Sequence, residues 1–196
     1  MFRTVITTLL FTTLLNFCCA QQISFGVKLG GIGYHPKSDG NEKFYRYKIN
    51  KKGNLTFFRS VTFCFSYNFS DFIGIKAVQT LLINDCTGHL AGVSHIGFNF
   101  FDDIVNFKSD IHQGSFSFGP LFYYRKNWNK MEGYKTDNQF IRLTKNKVWE
   151  RKFVWYGGQI QYDYFFNNHQ AVSLNFLPGY PYIYAVSAGM ESVVGR

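Results

Sequence analysis

The chain is predicted to be all-β, an eight-stranded antiparallel up-and-down transmembrane β-barrel. Three observations predict it: eight stretches in which apolar and polar residues alternate, a composition rich in aromatics and glycine, and connections that alternate between long and short. Phe (23), Tyr (13) and Gly (18) are abundant while charged residues reach only 17%, a balance that favours strands and tight turns over helices. No later segment carries the roughly 20 consecutive apolar residues of a spanning helix, so a membrane could be entered only by strands.

Residues 1–20 read as an export leader. Arg3 supplies the charged start, Val5 and the apolar and Thr-rich residues as far as Phe17 form a short hydrophobic segment, and Cys18, Cys19 and Ala20 place small residues at the cleavage positions. Cleavage is expected before Gln21, which leaves residues 21–196 as a single barrel domain.

Alternation is the primary signal, because a strand sends successive side chains to opposite faces. In the first stretch Ile23, Phe25, Val27 and Leu29 oppose Ser24, Gly26, Lys28 and Gly30. In the second Val61, Phe63, Phe65 and Tyr67 oppose Ser60, Thr62, Cys64 and Ser66, with Arg59 interrupting the apolar face. In the third Ile73, Ile75, Ala77, Leu81 and Ile83 oppose Lys76, Thr80 and Asn84, with Gln79 as an exception. The fourth sets Leu90, Ile96, Phe98 and Phe100 against His89, His95 and Asn99, and the fifth sets Phe116, Phe118, Phe122 and Tyr124 against Ser115, Ser117, Tyr123 and Arg125. The sixth sets Val154, Tyr156, Ile160, Tyr162 and Tyr164 against Trp155, Gln159, Gln161 and Asp163. The seventh sets Val172, Leu174 and Phe176 against Ser173 and Asn175. A last, short stretch sets Tyr182, Tyr184, Val186 and Met190 against Ala185, Ser187, Gly189 and Glu191.

A water-soluble barrel would also alternate, but its polar face would be outermost and rich in charge. Here the polar face is mostly Ser, Thr, Asn, Gln, Gly and His, which suits a crowded, hydrogen-bonded interior. Apolar residues are therefore expected outside and polar ones inside. With the mature N-terminus in the periplasm, the long connections 36–53 and 126–150 face outward, whereas the short ones 68–70 and 167–169 face inward. The segment 101–114, with Asp102, Asp103 and Asp110, is an inward connection of moderate length.

The mature chain resembles the small eight-stranded outer-membrane barrels, a group that includes the OmpA and OmpX types, the lipid A deacylase PagL and the palmitoyltransferase PagP. Gln21-Gln22 after the leader, the aromatic strands and the stretch from Gly119 to Arg125 also resemble uncharacterised barrels of Bacteroidota. This resemblance implies localisation in the outer membrane. Such barrels usually finish on an aromatic residue, whereas this chain finishes Val193-Val194-Gly195-Arg196.

Three groups of residues bear on function. The deacylase motif places a nucleophilic Ser two residues after a His, and here Gly97 follows His95 at that spacing. The catalytic candidates that remain are His95 with Ser115 or Ser117 from the neighbouring strand, and the alternative is that His89, His95 and Asn99 only hydrogen-bond inside the barrel. Lys28, Lys76, Asp163 and Glu191, with His89, His95, Asn99, Gln159 and Gln161, form an expected interior polar network, since buried charge needs partners. That network could plug the barrel or line a narrow pore; eight strands leave an interior that side chains largely fill.

The formal charge of +9 is concentrated in the external connections. Lys37, Lys43, Arg46, Lys48, Lys51 and Lys52 lie in the first, and Lys126, Lys130, Lys135, Arg142, Lys145 and Lys147 in the third. Tyr45, Tyr47, Trp128, Tyr134 and Trp149 interleave with them. Outer-membrane lipid, through lipopolysaccharide phosphates, is the expected partner, and an export leader makes nucleic acid an improbable one. The expected role is structural or surface-interacting, with a lipid A-modifying hydrolase and a small pore as alternatives. No cofactor is expected, no Cys/His spacing resembles a metal site, and a monomer is expected. Cys64 and Cys86 survive processing and allow at most one disulfide.

Overall fold

The computed structural model describes residues 22–34, 47–52, 54–70, 73–83, 88–101, 111–126, 141–142, 149–178 and 184–194. Eight long strands make the barrel: β1 (Gln22–Tyr34), β3 (Arg59–Asn68), β4 (Ile73–Ile83), β5 (Leu90–Phe101), β6 (His112–Lys126), β8 (Trp149–Asn167), β9 (Gln170–Pro178) and β10 (Tyr184–Val194). Two short strands, β2 (Leu55–Phe57) and β7 (Ile141–Arg142), extend β1 and β8 at one end. Every barrel strand pairs antiparallel with its sequence neighbour, and β1 pairs with β10 from Ile23–Val194 to Tyr34–Tyr184. The sheet is therefore a closed eight-stranded barrel. The expected leader, residues 1–20, and the segment 102–110 lie outside the described residues.

Its outer wall is apolar. Phe25, Leu29, Phe65, Ile96, Phe98, Phe118, Ile160, Leu174 and Met190 are all exposed, while Ser24, Lys28, Lys76, Asn99, Ser117, Gln161 and Glu191 are buried on the inner face. A sheet folding in water does the opposite.

Two irregularities re-aim the alternation. In β1 the register slips between Leu29 and Ile32, and Gly30 there has a φ of 73°, a left-handed conformation that glycine takes without a Cβ clash. In β8 an extra residue sits opposite Pro120, so Trp155 and Tyr156 both project outward. This corrects the sixth predicted stretch. Val154 points inward, buried, and Trp155 outward, because the bulge inverts parity below residue 155. The predicted short final stretch is also corrected, since β10 runs 11 residues and forms the closing ladder.

Beside the β8 bulge, the backbones of β5 and β6 approach closely. Gly119 pairs with Gly157, and a Cβ at Gly119 would lie 2.2 Å from the Ile96 carbonyl oxygen and 2.6 Å from the Gly97 Cα. Backbone cannot yield as a side chain can. Gly119→Ala is expected to destabilise the barrel by about 1–3 kcal/mol, an overpacking cost. Gly158→Ala, whose Cβ would meet only the Phe116 ring at 3.1 Å, is expected to shift stability by less than about 1 kcal/mol. Urea midpoints of the heat-modifiable folded band would check both.

Candidate functional site

The inner face brings together side chains from four strands around one amide. Gln161 on β8 accepts at Oε1 from the Nζ of Lys28 on β1 at 2.5 Å and from the Nζ of Lys76 on β4 at 2.6 Å. Its Nε2 donates to both oxygens of Asp163, at 2.9 and 2.8 Å, and to Oε2 of Glu191 on β10 at 2.6 Å. Two ammonium groups thus meet two carboxylates through one neutral bridge. The pattern fixes the orientation of the amide, because only the oxygen can accept and only the nitrogen can donate. Ser24 donates to Glu191 at 2.5 Å, and Ser173 donates to Asp163 and, at 3.3 Å, to Glu191. Lys28 and Lys76 are 0% and 1% exposed, so their charge is fully withdrawn from water and has to be balanced here.

Apolar layers lie on both sides of this cluster. Phe165, Ala171 and Val193 pack at the end bearing the N-terminus, and Val93, Leu121, Val154 and Leu177 pack towards the other end, against Tyr123. Beyond that second layer, Arg125 Nε donates to Glu150 Oε2 at 3.0 Å, both mostly buried. A cavity of about 10 Å³ beside Asn68, Asn99 and Lys76 has room for about one water. The interior is packed with side chains.

His95 and Ser117 form a separate pair. The two residues approach from β5 and β6, with Nε2 3.0 Å from the Ser117 hydroxyl and Nδ1 3.1 Å from the Pro120 carbonyl. A carbonyl can only accept, so the proton sits on Nδ1 and Nε2 accepts from Ser117. Chemically this orients a general base against a hydroxyl. Both groups are buried on the inner face.

The sequence-predicted residues therefore fall in several places. Lys28, Lys76, Gln161, Asp163 and Glu191 meet in one cluster, and His95 meets Ser117. Ser115 is buried on the same inner face and borders the small cavity. Asn99 and Gln159 are also buried there, yet Asn99 Oδ1 and both amide atoms of Gln159 have no hydrogen-bond partner within the protein. His89 is corrected to a place outside the network: it precedes the first residue of β5 and is exposed at the barrel rim, where the pleat no longer directs it inward. Cys64 is a buried free thiol, and Cys86 lies outside the described residues.

Of the external bases, Lys48, Lys51 and Lys52 are exposed on a hairpin held by hydrogen bonds between Ile49 and Leu55 and from Leu55 N–H to Asn50 Oδ1. Lys126 is not a loop residue but ends β6, and Arg142 lies in β7. Lys37, Lys43, Arg46, Lys130, Lys135, Lys145 and Lys147 lie outside the described residues. Sequence reasoning missed Arg125–Glu150, Ser24 and Ser173 as interior partners. Their parity along the strands was the available signal. Among the described residues, no group of three or more His, Cys, Asp or Glu side chains could hold a metal ion.

The architecture defines a closed eight-stranded antiparallel barrel with an apolar wall and a filled polar interior. No family model matches the sequence, and no curated protein does. Among solved structures the chain is similar to Ail, the attachment invasion locus protein of Yersinia pestis, at 10% identity and a TM-score of 0.48, over 89% of this chain and 99% of that one. It is similar to the N-terminal β-barrel domain of Pseudomonas aeruginosa OprF at 10% identity and TM-score 0.46, over 87% and 97% of the two chains. It is also similar to Neisserial surface protein A at 6% identity and TM-score 0.46, over 90% and 97%.

Replacing the bridge tests what holds the interior together. Gln161→Leu strips two ammoniums and two carboxylates of their shared partner and is expected to cost about 3–5 kcal/mol. Gln159→Leu, which removes an unpartnered buried amide, is expected to be neutral or stabilising. Denaturant unfolding of the two variants in one lipid would compare them; equal losses would contradict the bridging role.

Proposed function

We propose that this protein is an outer-membrane β-barrel with a structural and surface-interaction role, whose basic external side engages glycolipid or another anionic partner. The apolar outer wall around a filled polar interior carries this reading. Its height fits a membrane: between Tyr162 and Arg151 on β8, 10 ladder steps remain once the bulge residue is discounted. At about 3.3 Å per residue and a tilt near 40°, that is about 25 Å, the thickness of the apolar band of such barrels. Aromatic girdles flank it. His112 stacks with Tyr162 and accepts or donates at 2.6 Å from its hydroxyl at one end, and Tyr124 packs against Trp149 at the other.

Closure on β10 leaves none of the eight barrel strands with a free edge along the β1–β10 seam for pairing with another copy, which supports a monomer. The packed interior and its two apolar layers oppose a pore. The His95–Ser117 pair is buried on the inner face rather than the apolar outer wall, which disfavours the hydrolase alternative. Anion binding rests on the hairpin, where Lys48, Lys51 and Lys52 project together and Arg59 stacks on Tyr47 at 5.3 Å to the ring centroid. Charge of one sign on an exposed hairpin attracts polyanions and is weakened by salt.

Two outcomes are expected. The mature chain fractionates with the outer membrane, migrates differently before and after boiling, and gives no conductance above background in planar bilayers; recovery as a soluble periplasmic protein would contradict the membrane reading. The triple variant Lys48→Gln, Lys51→Gln and Lys52→Gln loses about three- to eightfold in affinity for heparin, a soluble polyanion, as three screened charges of a few tenths of a kcal/mol each would give. Unchanged retention on a heparin column would remove the hairpin from the proposal.

A further inference from the structure

Over one patch the polarity of the wall is reversed. Val78, Val93, Leu121 and Val154 turn apolar side chains inward from β4, β5, β6 and β8. On the outer face of the same strands stand Gln79, Ser94, Tyr124 and Arg151. Gln79 and Ser94 are cross-strand partners, and Ser94 Oγ donates to Gln79 Oε1 at 2.6 Å. Gln79 Nε2 in turn donates to the Tyr124 hydroxyl at 2.9 Å and to the carbonyls of Thr80 and Val93 at 3.1 and 3.3 Å. Tyr124 accepts that bond, which leaves its own hydroxyl proton to donate outward.

Cations sit just above this patch. Tyr124 pairs with Arg151 and Lys126 with Trp149 across β6 and β8. The intervening pair, Arg125 and Glu150, is joined on the inner face, so Tyr124, Arg151, Lys126 and Trp149 share the outer one. The Tyr124 and Trp149 rings lie 6.4 Å apart on that face. Lys126 and Trp149 form the outward pair nearest the rim, Tyr124 and Arg151 form the next, and the Gln79–Ser94 pair lies farther along the strands towards their middle. A phosphorylated acylated sugar runs in a comparable way, from phosphate and sugar ring through ester or amide oxygens to acyl chains.

We propose that this reversed patch, Gln79, Ser94 and Tyr124 beside Lys126 and Arg151, is a binding site for one phosphorylated glycolipid of the outer leaflet. Arg151 and Lys126 hold the phosphate through charge-assisted hydrogen bonds. Tyr124 donates to an ester or amide oxygen below it, and the Gln79–Ser94 pair keeps its own polar atoms satisfied when the acyl chains cover them. The site rests on the membrane reading above, but it is distinct from the basic hairpin.

Native mass spectrometry of the mature barrel with lipid A as the probe tests it. Wild type is expected to retain one lipid A per chain. The Lys126→Gln and Arg151→Gln double variant is expected to lose at least tenfold in occupancy, and Tyr124→Phe about threefold. A control at the opposite rim, Asn168→Ser in the exposed turn between β8 and β9, keeps wild-type occupancy, and lipid A occupancy is read separately from heparin retention, so failure of one leaves the other decided on its own. Heat-modifiable mobility reports folding of each variant, and Arg151→Gln alone, at an exposed position, serves if the double variant does not fold. Three results would overturn the proposal: unchanged occupancy in these wall variants, equal retention of dephosphorylated lipid A or phosphatidylcholine, or displacement by inorganic phosphate that marks a free-anion site.

Discussion

In hydrocarbon no water satisfies a backbone N–H or C=O, so a sheet survives there only when its ladder has no ends. The β1–β10 pairing is therefore the contact on which the rest of this structure depends. It requires strands of matched length, and β10 extends to Val194 to meet Ile23. It also fixes what each side chain faces. Once the ladder closes, every second residue must enter a narrow interior while its neighbours face outward. The irregularities are few because each one shifts that assignment for a whole strand segment, as Trp155 and Tyr156 do in β8.

The interior problem follows from closure. Lys28, Lys76, Asp163 and Glu191 come from β1, β4, β8 and β10, of which only β1 and β10 are hydrogen-bonded neighbours, and their side chains meet because the sheet curls round a narrow interior. An open sheet would leave Lys76 and Glu191 far apart. In the barrel they reach the same Gln161 amide, which matches two cations to two anions without requiring each pair to touch. A buried charge left alone is strongly destabilising, so the cluster makes closure and burial mutually dependent. The hydroxyls of Ser24 and Ser173 take up further carboxylate lone pairs. Apolar layers flank these bonds at either side and lower the local dielectric around them.

Much of this was legible in the sequence, and the reasons differ by residue. Period-two alternation is a local property, so the inward set from Ser24 to Lys28 and from Gln159 to Asp163 could be read from strand parity alone. The meeting of four strands at Gln161 was not legible, because it depends on register and curvature rather than on neighbours in the chain. Val154 and Trp155 were read on the wrong faces for a related reason. A bulge adds one residue without any compositional mark beyond the Gly157-Gly158 pair that follows it. His89 carried the right parity but sits past the last ladder bond, where parity has no force. Gln79 was read as an exception to its apolar face, and its meaning lay on two other strands, in Ser94 and Tyr124.

That exception bears on how the wall relates to its surroundings. A polar residue facing lipid is normally removed or turned inward, and turning it inward here would displace Val78 and Val93, which seal the interior below the Arg125–Glu150 pair. The apolar layer inside and the polar cluster outside are thus two sides of one constraint: a strand that presents Val inward must present its alternate residues outward. Those alternate positions could still have carried Ile or Phe, as they do at Ile96 and Phe98 on the same strand. They carry Gln and Ser instead, joined to each other and to Tyr124, directly beneath the cations of the rim. Sealing the interior explains the valines; it does not explain the amide, hydroxyl and phenol opposite them. A polar group retained at that depth, with its bonds already satisfied by its neighbours, is compatible with lipid contact at little energetic cost and available to one lipid oxygen at a time.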